Sequence, residues 1–314
     1  MNKEKIGHGQ ASGKIILMGE HSVVYGEPAI AFPFQETYIS TKVEPDSTMI
    51  LECHYFSGEL SQVPSQLKSV SEVIDQTLIA LHHEEATLKI TITSTIPAER
   101  GMGSSAAVAV SIVRALFDYF DIPCTSESLL PLVNRAEKIA HGNPSGIDAA
   151  ATTGDEPLFF IKSHPLESFP MNVSNAFLIV ADTGIKGQTR AAVRDVAHLF
   201  ELDKKRISQH ITTLGHLTKS AKHAILADEV DTLGNVMNQA QEHLSALTVS
   251  NEQLDHLVST ARANGALGAK LTGGGRGGCM IALAGSKKQA ENIAVALESA
   301  GAVATWIQSL GVKN

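Results

Sequence analysis

The chain has 314 residues, 43% hydrophobic and 18% charged, enough for two domains of ordinary size with full cores. Its formal net charge of -8 opposes a general affinity for nucleic acid, which needs a positive surface to displace counterions, so no nucleic-acid partner is expected. Three scattered cysteines, Cys53, Cys124 and Cys279, make neither a disulfide framework nor a zinc site and fit a reducing cytoplasm.

At the N-terminus Lys3, Glu4 and Lys5 precede no apolar stretch, so no signal peptide is predicted. Strands are predicted over Lys14 to Met18, Ala29 to Phe34, Tyr38 to Val43 and Met49 to His54. Lys89 to Ser94 alternates Ile90 and Ile92 with Thr91 and Thr93, the pattern of a half-buried strand. A loop over Thr95 to Gly103 leads into a helix from Ser104 to Phe120, and a second helix runs from Ser126 to Ala140. The apolar run within the first of these, Ala106 to Phe117, is interrupted by Ser111 and Arg114 and falls short of the roughly 20 residues that cross a bilayer. No membrane partner is expected.

Pro165 and Pro170 punctuate a polar connection, which places a domain seam near Met171 to Ser174 and divides the chain into 1–173 and 174–314. Beyond it come a strand over Phe177 to Ala181 and helices over Thr189 to Leu226, Glu229 to Leu247 and Asn251 to Asn264. Strands over Gly268 to Leu271 and Met280 to Leu283, a helix over Lys287 to Ala300 and a strand over Val303 to Gln308 complete an α+β pattern.

Two glycine-rich loops stand out. Pro97-Ala98-Glu99-Arg100-Gly101-Met102-Gly103-Ser104-Ser105-Ala106 joins a strand to a helix, where open backbone N–H groups and the helix dipole favour an anion. The blander reading is a turn with Ser104 as an ordinary N-cap. Gly101, Gly103 and Ala106 satisfy G-x-G-x-x-A, and Gly273, Gly275 and Gly278 satisfy G-x-G-x-x-G, but neither context is that of a dinucleotide fingerprint. Gly13-Lys14 is no Walker motif, since His8 stands five residues before Gly13 and Ile15 follows the lysine. The second loop runs from Lys270 to Cys279, where five glycines in six positions signal a backbone that needs unusual freedom.

In order, Ala11-Ser12-Gly13-Lys14-Ile15-Ile16-Leu17-Met18-Gly19-Glu20-His21-Ser22-Val23-Val24-Tyr25-Gly26, the Gly101 loop and the Lys270 to Cys279 loop resemble the motifs of one superfamily. It is the kinase superfamily named for galactokinase, homoserine kinase, mevalonate kinase and phosphomevalonate kinase. Gly19 to Gly26 and His141-Gly142-Asn143-Pro144-Ser145-Gly146-Ile147-Asp148 are most similar to its mevalonate-kinase branch. The resemblance implies a two-domain α+β fold, with an N-terminal domain like ribosomal protein S5 domain 2 and a ferredoxin-like C-terminal domain. It further implies ATP and Mg²⁺ as cofactors, mevalonate as substrate, and a homodimer as the candidate assembly. Phosphomevalonate kinase, another small-alcohol kinase and a non-catalytic sensor of ATP and a metabolite are the rival readings.

The resemblance also implies roles. Asp148 matches the aspartate that accepts the substrate proton, and Lys14 the lysine expected to pair with it. Without the resemblance, a helix N-cap and a snorkelling lysine would be the ordinary fates of these two. Glu137 and Ser105 match the magnesium ligands, although most helical glutamates are merely solvated. Ala98, Glu99, Arg100, Gly101, Met102, Gly103, Ser104 and Ser105 would hold the ATP phosphates. Glu20 and His21 match the substrate-side pair, Arg190 is a candidate carboxylate clamp, and Gly273, Gly274 and Gly275 are supporting backbone. The chain departs from the family at Ser12, usually Pro, and at Gly274 and Arg276, usually Ala and Gly. Arg276 is expected to point to solvent.

Overall fold

The computed structural model describes residues 5–141, 146–154, 156–171 and 173–311. The chain divides into two compact units: Met1–Lys14, Pro33–Pro97 and Gly103–Asp155 form one, and Ile15–Phe32, Ala98–Met102 and Glu156–Asn314 the other. Two long strands, β1 (Gly7–Met18) and β2 (Ala29–Pro45), contribute residues to both. The segment from Glu156 to Met171 thus groups with the second unit, whereas the seam read from the prolines lies after it.

In the first unit β3 (Ile50–Cys53), β4 (Phe56–Glu59), α1 (Lys68–Ala80), β5 (Leu88–Ser94), α2 (Ser104–Tyr119), α3 (Ser126–His141) and α4 (Ile147–Thr153) follow in order. The strands run β4-β3-β5-β2 with β1 also on β2; β3 and β5 are parallel, and β5 lies antiparallel to β2 with Thr41 opposite Ile92. Helix α2 is apolar nearly all round, burying Ala106, Ala107, Ala109, Val110, Ile112, Val113, Ala115 and Leu116, as a central helix must. It lies hard against β1: a Cβ on Gly9 would fall 2.1 Å from the Ser111 carbonyl oxygen, so only glycine allows the approach. Ser111 also bonds Thr41 of β2 at 2.8 Å, satisfying two buried hydroxyls at once.

The second unit continues with β6 (Leu158–Phe160), β7 (Glu167–Ser168), β8 (Phe177–Asp182), α5 (Thr189–Leu202), α6 (Lys204–Leu226), α7 (Val230–Ala246), α8 (Glu252–Ala263), β9 (Gly268–Leu271), β10 (Cys279–Ala284), α9 (Lys287–Ser299) and β11 (Ala304–Ser309). Here β8 to β11 form a four-stranded antiparallel sheet of order β11-β8-β10-β9, in which Ile179 faces Ala282 on one side and Ile307 on the other. β10 is buried along its whole length, and helices α7, α8 and α9 pack against this sheet. Among the described residues no helix is long and apolar enough to cross a membrane.

The structure departs from the sequence reading at several elements: the short β4, α4, β6 and β7 were not predicted, and four longer elements differ. The helix predicted over Thr189 to Leu226 is two helices, because Asp203 leaves helical geometry at φ -141 and ψ 69 and caps α6 through the Arg206 amide at 3.1 Å. The strands predicted over Ala29 to Phe34 and Tyr38 to Val43 are one strand, since Gln35 and Glu36 carry no turn chemistry and stay within the strand. β1 starts at Gly7, seven residues before its predicted start at Lys14. Helix α1 was not predicted, although its buried Val73, Ile74, Thr77 and Leu78 keep helical spacing.

Candidate active site

In the first unit β1 carries Lys14 to the start of α4. Lys14 is 3% exposed and its Nζ lies 3.0 Å from Oδ1 of Asp148, whose side chain is 37% exposed. A buried ammonium is costly unless paired, so the carboxylate stabilises Lys14 where it stands, while Asp148 keeps an edge open to other groups. Snorkelling is excluded for Lys14. Capping is excluded for Asp148, since α4 is capped by Gly146 at φ 83 and Asp148 is its second residue. The Asn143-Pro144-Ser145 part of the preceding motif lies outside the described residues.

Gly103 brings α2 to the same lysine. It is the N-cap of α2 in the left-handed conformation, φ 72, and a Cβ there would meet Cγ of Lys14 at 2.6 Å. Glycine is required twice over, by conformation and by contact. Ser104 is therefore the first helical residue, not the cap, and it and Ser105 sit in the first turn, where backbone N–H groups lack intrahelical acceptors and can receive an anion. Glu137 on α3 is 3% exposed, so it is not a solvated surface glutamate.

In the second unit alternate residues of the Lys270 to Cys279 loop fasten the first motif. Lys270, with no exposed surface, donates to the Glu20 carboxylate and to the Leu271 carbonyl oxygen at 2.8 Å. The Thr272 hydroxyl donates to the Ile16 carbonyl at 2.7 Å, and the Gly274 carbonyl accepts from Nε2 of His21 at 3.0 Å. The sequence places Lys270 in a glycine loop and assigns it no role. The only signal in the sequence was a lysine ahead of five glycines, and its partner lies 250 positions earlier.

Burial lowers the pKa of Lys270, with the Glu20 carboxylate acting in the opposite sense. Burial also lowers the pKa of His21 to about 4; the Gly274 carbonyl opposes that shift and the Arg276 cation adds to it. His21 is thus neutral near pH 7. Because a carbonyl can only accept, the proton sits on Nε2, and Nδ1 is a buried acceptor with no hydrogen-bond partner among the described residues.

The side chains of the 98–102 stretch are engaged within this unit. Nε of Arg100 donates to Asp182 at 2.7 Å, and its terminal nitrogens donate to the carbonyls of Gly184 at 3.0 Å and Ala98 at 3.2 Å. Glu99 pairs with Lys186, its carbonyl accepts from the Gly187 amide at 3.0 Å, and Met102 is buried. Gly101, Gly273 and Gly275 all have positive φ. Arg190 is exposed in the first turn of α5. Arg276 does not point to solvent: its guanidinium is bound to Asp195 at 2.5 Å and to Thr248, which anchors a side chain expected to be loose.

The family model for the N-terminal domain of GHMP kinases matches residues 68–155, and that for the GHMP kinase C-terminal region matches residues 221–303. A mevalonate kinase of Thermococcus sibiricus is 34% identical, covering 93% of this chain and 92% of its own. The crystal structure of mevalonate kinase from methicillin-resistant Staphylococcus aureus is 34% identical with a TM-score of 0.78, covering 98% of this chain and 100% of that one. That of Leishmania major mevalonate kinase in complex with R-mevalonate is 27% identical with a TM-score of 0.81, covering 98% and 95%. With both family regions matched and curated relatives alike from end to end, the chain belongs to the GHMP kinases and, within them, to the mevalonate kinases.

Proposed function

We propose that this chain transfers the γ-phosphoryl group of ATP to the 5-hydroxyl of (R)-mevalonate, giving 5-phosphomevalonate and ADP. The observation that carries the reading is the Lys14–Asp148 pair, 3.0 Å apart, with the lysine buried and the carboxylate partly open. Phosphoryl transfer requires positioning, charge neutralisation and a proton acceptor rather than covalent work by the protein. Asp148 accepts the hydroxyl proton as the oxygen attacks phosphorus. Lys14 holds the Asp148 carboxylate in place and stabilises negative charge on the transferring group.

The α2 N-terminus and the backbone of Ala98 to Ser105 hold the phosphates; since the Arg100 and Glu99 side chains are engaged elsewhere, these two contribute through their amides. Ser105 and Glu137 supply two hard oxygens on α2 and α3, helices that pack together, and suit Mg²⁺, which keeps several waters. Magnesium, when bound, neutralises developing charge on the phosphate oxygens. Glu20 and His21 orient the substrate, Arg190 receives its carboxylate, and Gly273 to Gly275 support the loop.

The strand order β11-β8-β10-β9, fourth-first-third-second in chain order, supports a ferredoxin-like second domain, and a first domain like ribosomal protein S5 domain 2 goes with it. We retain 1–173 and 174–314 as the functional partition. Cys53, Cys124 and Cys279 are free thiols, in keeping with a cytoplasmic enzyme; a homodimer is the assembly to test by light scattering. The deciding measurement is ATP consumption by the purified protein with mevalonate, phosphomevalonate, homoserine and galactose. Turnover with mevalonate is expected, and preference for another member of the panel would replace the substrate.

A further inference from the structure

Arg276 occupies a left-handed backbone position, φ 55, in a run of glycines, where any side chain is disfavoured. Its contacts account for its presence. One terminal nitrogen donates to Oδ2 of Asp195 on α5 at 2.5 Å, Nε donates to the Thr248 carbonyl at 3.1 Å, and the other terminal nitrogen reaches the Thr248 hydroxyl at 3.4 Å. Its own amide donates to the Val249 carbonyl at 2.8 Å. Arg276 therefore bridges α5 and the turn after α7, the two walls around the loop. Gly274, two residues earlier, carries the carbonyl bonded to His21.

We propose that Arg276 is a positioning residue: its guanidinium straps the glycine loop to α5 and to the α7–α8 turn. The strap holds the Gly274 carbonyl in place and thereby keeps the His21 ring oriented as its Nε2–H tautomer. The proposal rests on the reading of His21 as a substrate residue. A plain glycine at this position would suit the backbone but remove the guanidinium's ties to Asp195 and Thr248, leaving bonds such as Gly278 N–H to the Ile185 carbonyl at 2.7 Å and the Thr183 hydroxyl to the Gly278 carbonyl at 2.7 Å.

The test is Arg276→Gly, which removes the strap while relieving the backbone, beside Asp195→Asn and the double variant. With mevalonate as the varied substrate, KM should rise about tenfold in each while kcat changes by less than about threefold, the pattern of lost ground-state positioning. The double variant should be no worse than the more impaired single variant, because both break one strap. The ¹⁵N shifts of the His21 imidazole should move from a single Nε2–H form towards mixed tautomers. Wild-type KM and wild-type ¹⁵N shifts in Arg276→Gly would overturn the proposal, as would a change in thermal midpoint with both of those unmoved. If the unaltered enzyme does not turn over mevalonate, the functional reading fails, and the ¹⁵N comparison still decides the strap.

Discussion

Lys14 and Asp148 show how little a residue's type says about its work. Lysine is normally solvated, yet here it is buried to 3% exposure with one carboxylate at 3.0 Å. Asp148→Asn keeps volume but removes both the proposed proton acceptor and the carboxylate paired with buried Lys14, so kcat should fall by about 10² or more, the lower bound for a positioned base, and the thermal midpoint should fall too, with nucleotide affinity of the folded enzyme retained. A fall in kcat no larger than the loss of folded protein would assign Asp148 a structural role instead. Gly103→Ala should cost about 1–3 kcal/mol through its positive φ and should also displace Lys14, whose Cγ lies 2.6 Å from the new Cβ. A fall in kcat beyond the loss of folded protein, measured together with urea unfolding, checks both effects. His21 makes a pH prediction. Its pKa falls from 6.5 unfolded to about 4 folded, so the unfolded chain binds the extra proton between those values. The contribution is complete above pH 6.5 and is lost on acidification through pH 4, about 3 kcal/mol in all. His21→Asn should therefore flatten the unfolding free energy across that window, and an unchanged slope would refute the buried neutral imidazole.

At the scale of elements, β9 and its following loop are cross-linked to the segment from Ile16 to His21. Lys270→Met would leave the Glu20 carboxylate buried without its cation, at a cost of about 3–5 kcal/mol. Lys270→Met with Glu20→Leu should be milder than Lys270→Met alone, because no charge remains to be desolvated; chemical denaturation of the two variants makes the comparison. The junction of α5 and α6 is weaker and separate from the chemistry. Asp203→Ala removes the cap on the Arg206 amide and should cost about 1 kcal/mol, with KM for both substrates unchanged.

For the molecule as a whole, ligand binding links the candidate site to global stability. Mg²⁺-ATP at about 100 times its dissociation constant should stabilise the native chain by about 2.7 kcal/mol, seen as a raised thermal midpoint. Glu137→Gln should remove the magnesium-dependent part of that shift and raise the Mg²⁺ requirement for turnover, while leaving the shift produced by mevalonate. Wild-type magnesium dependence in this variant would return Glu137 to the buried framework of α3.

Local pattern and motif order were sufficient for the family, for the α+β class and for most elements, because periodicity, capping and glycine loops act over a few residues and leave their mark within a short window. The two glycine loops announced themselves as backbone under constraint for the same reason. What only the tertiary structure decided were pairings across long separations. Asp148 could have been an N-cap until Gly146 was found in that place. Glu20 was a substrate candidate with no visible partner until Lys270 proved to be buried against it. Arg276 looked like a stray cation until α5 and the α7–α8 turn closed on it. The continuity of β2 likewise needed its partners, β6 opposite Ala29 to Ala31 and β5 opposite Ile39 to Pro45. Burial and electrostatic pairing depend on which distant segments pack together, and no local window of sequence contains that information.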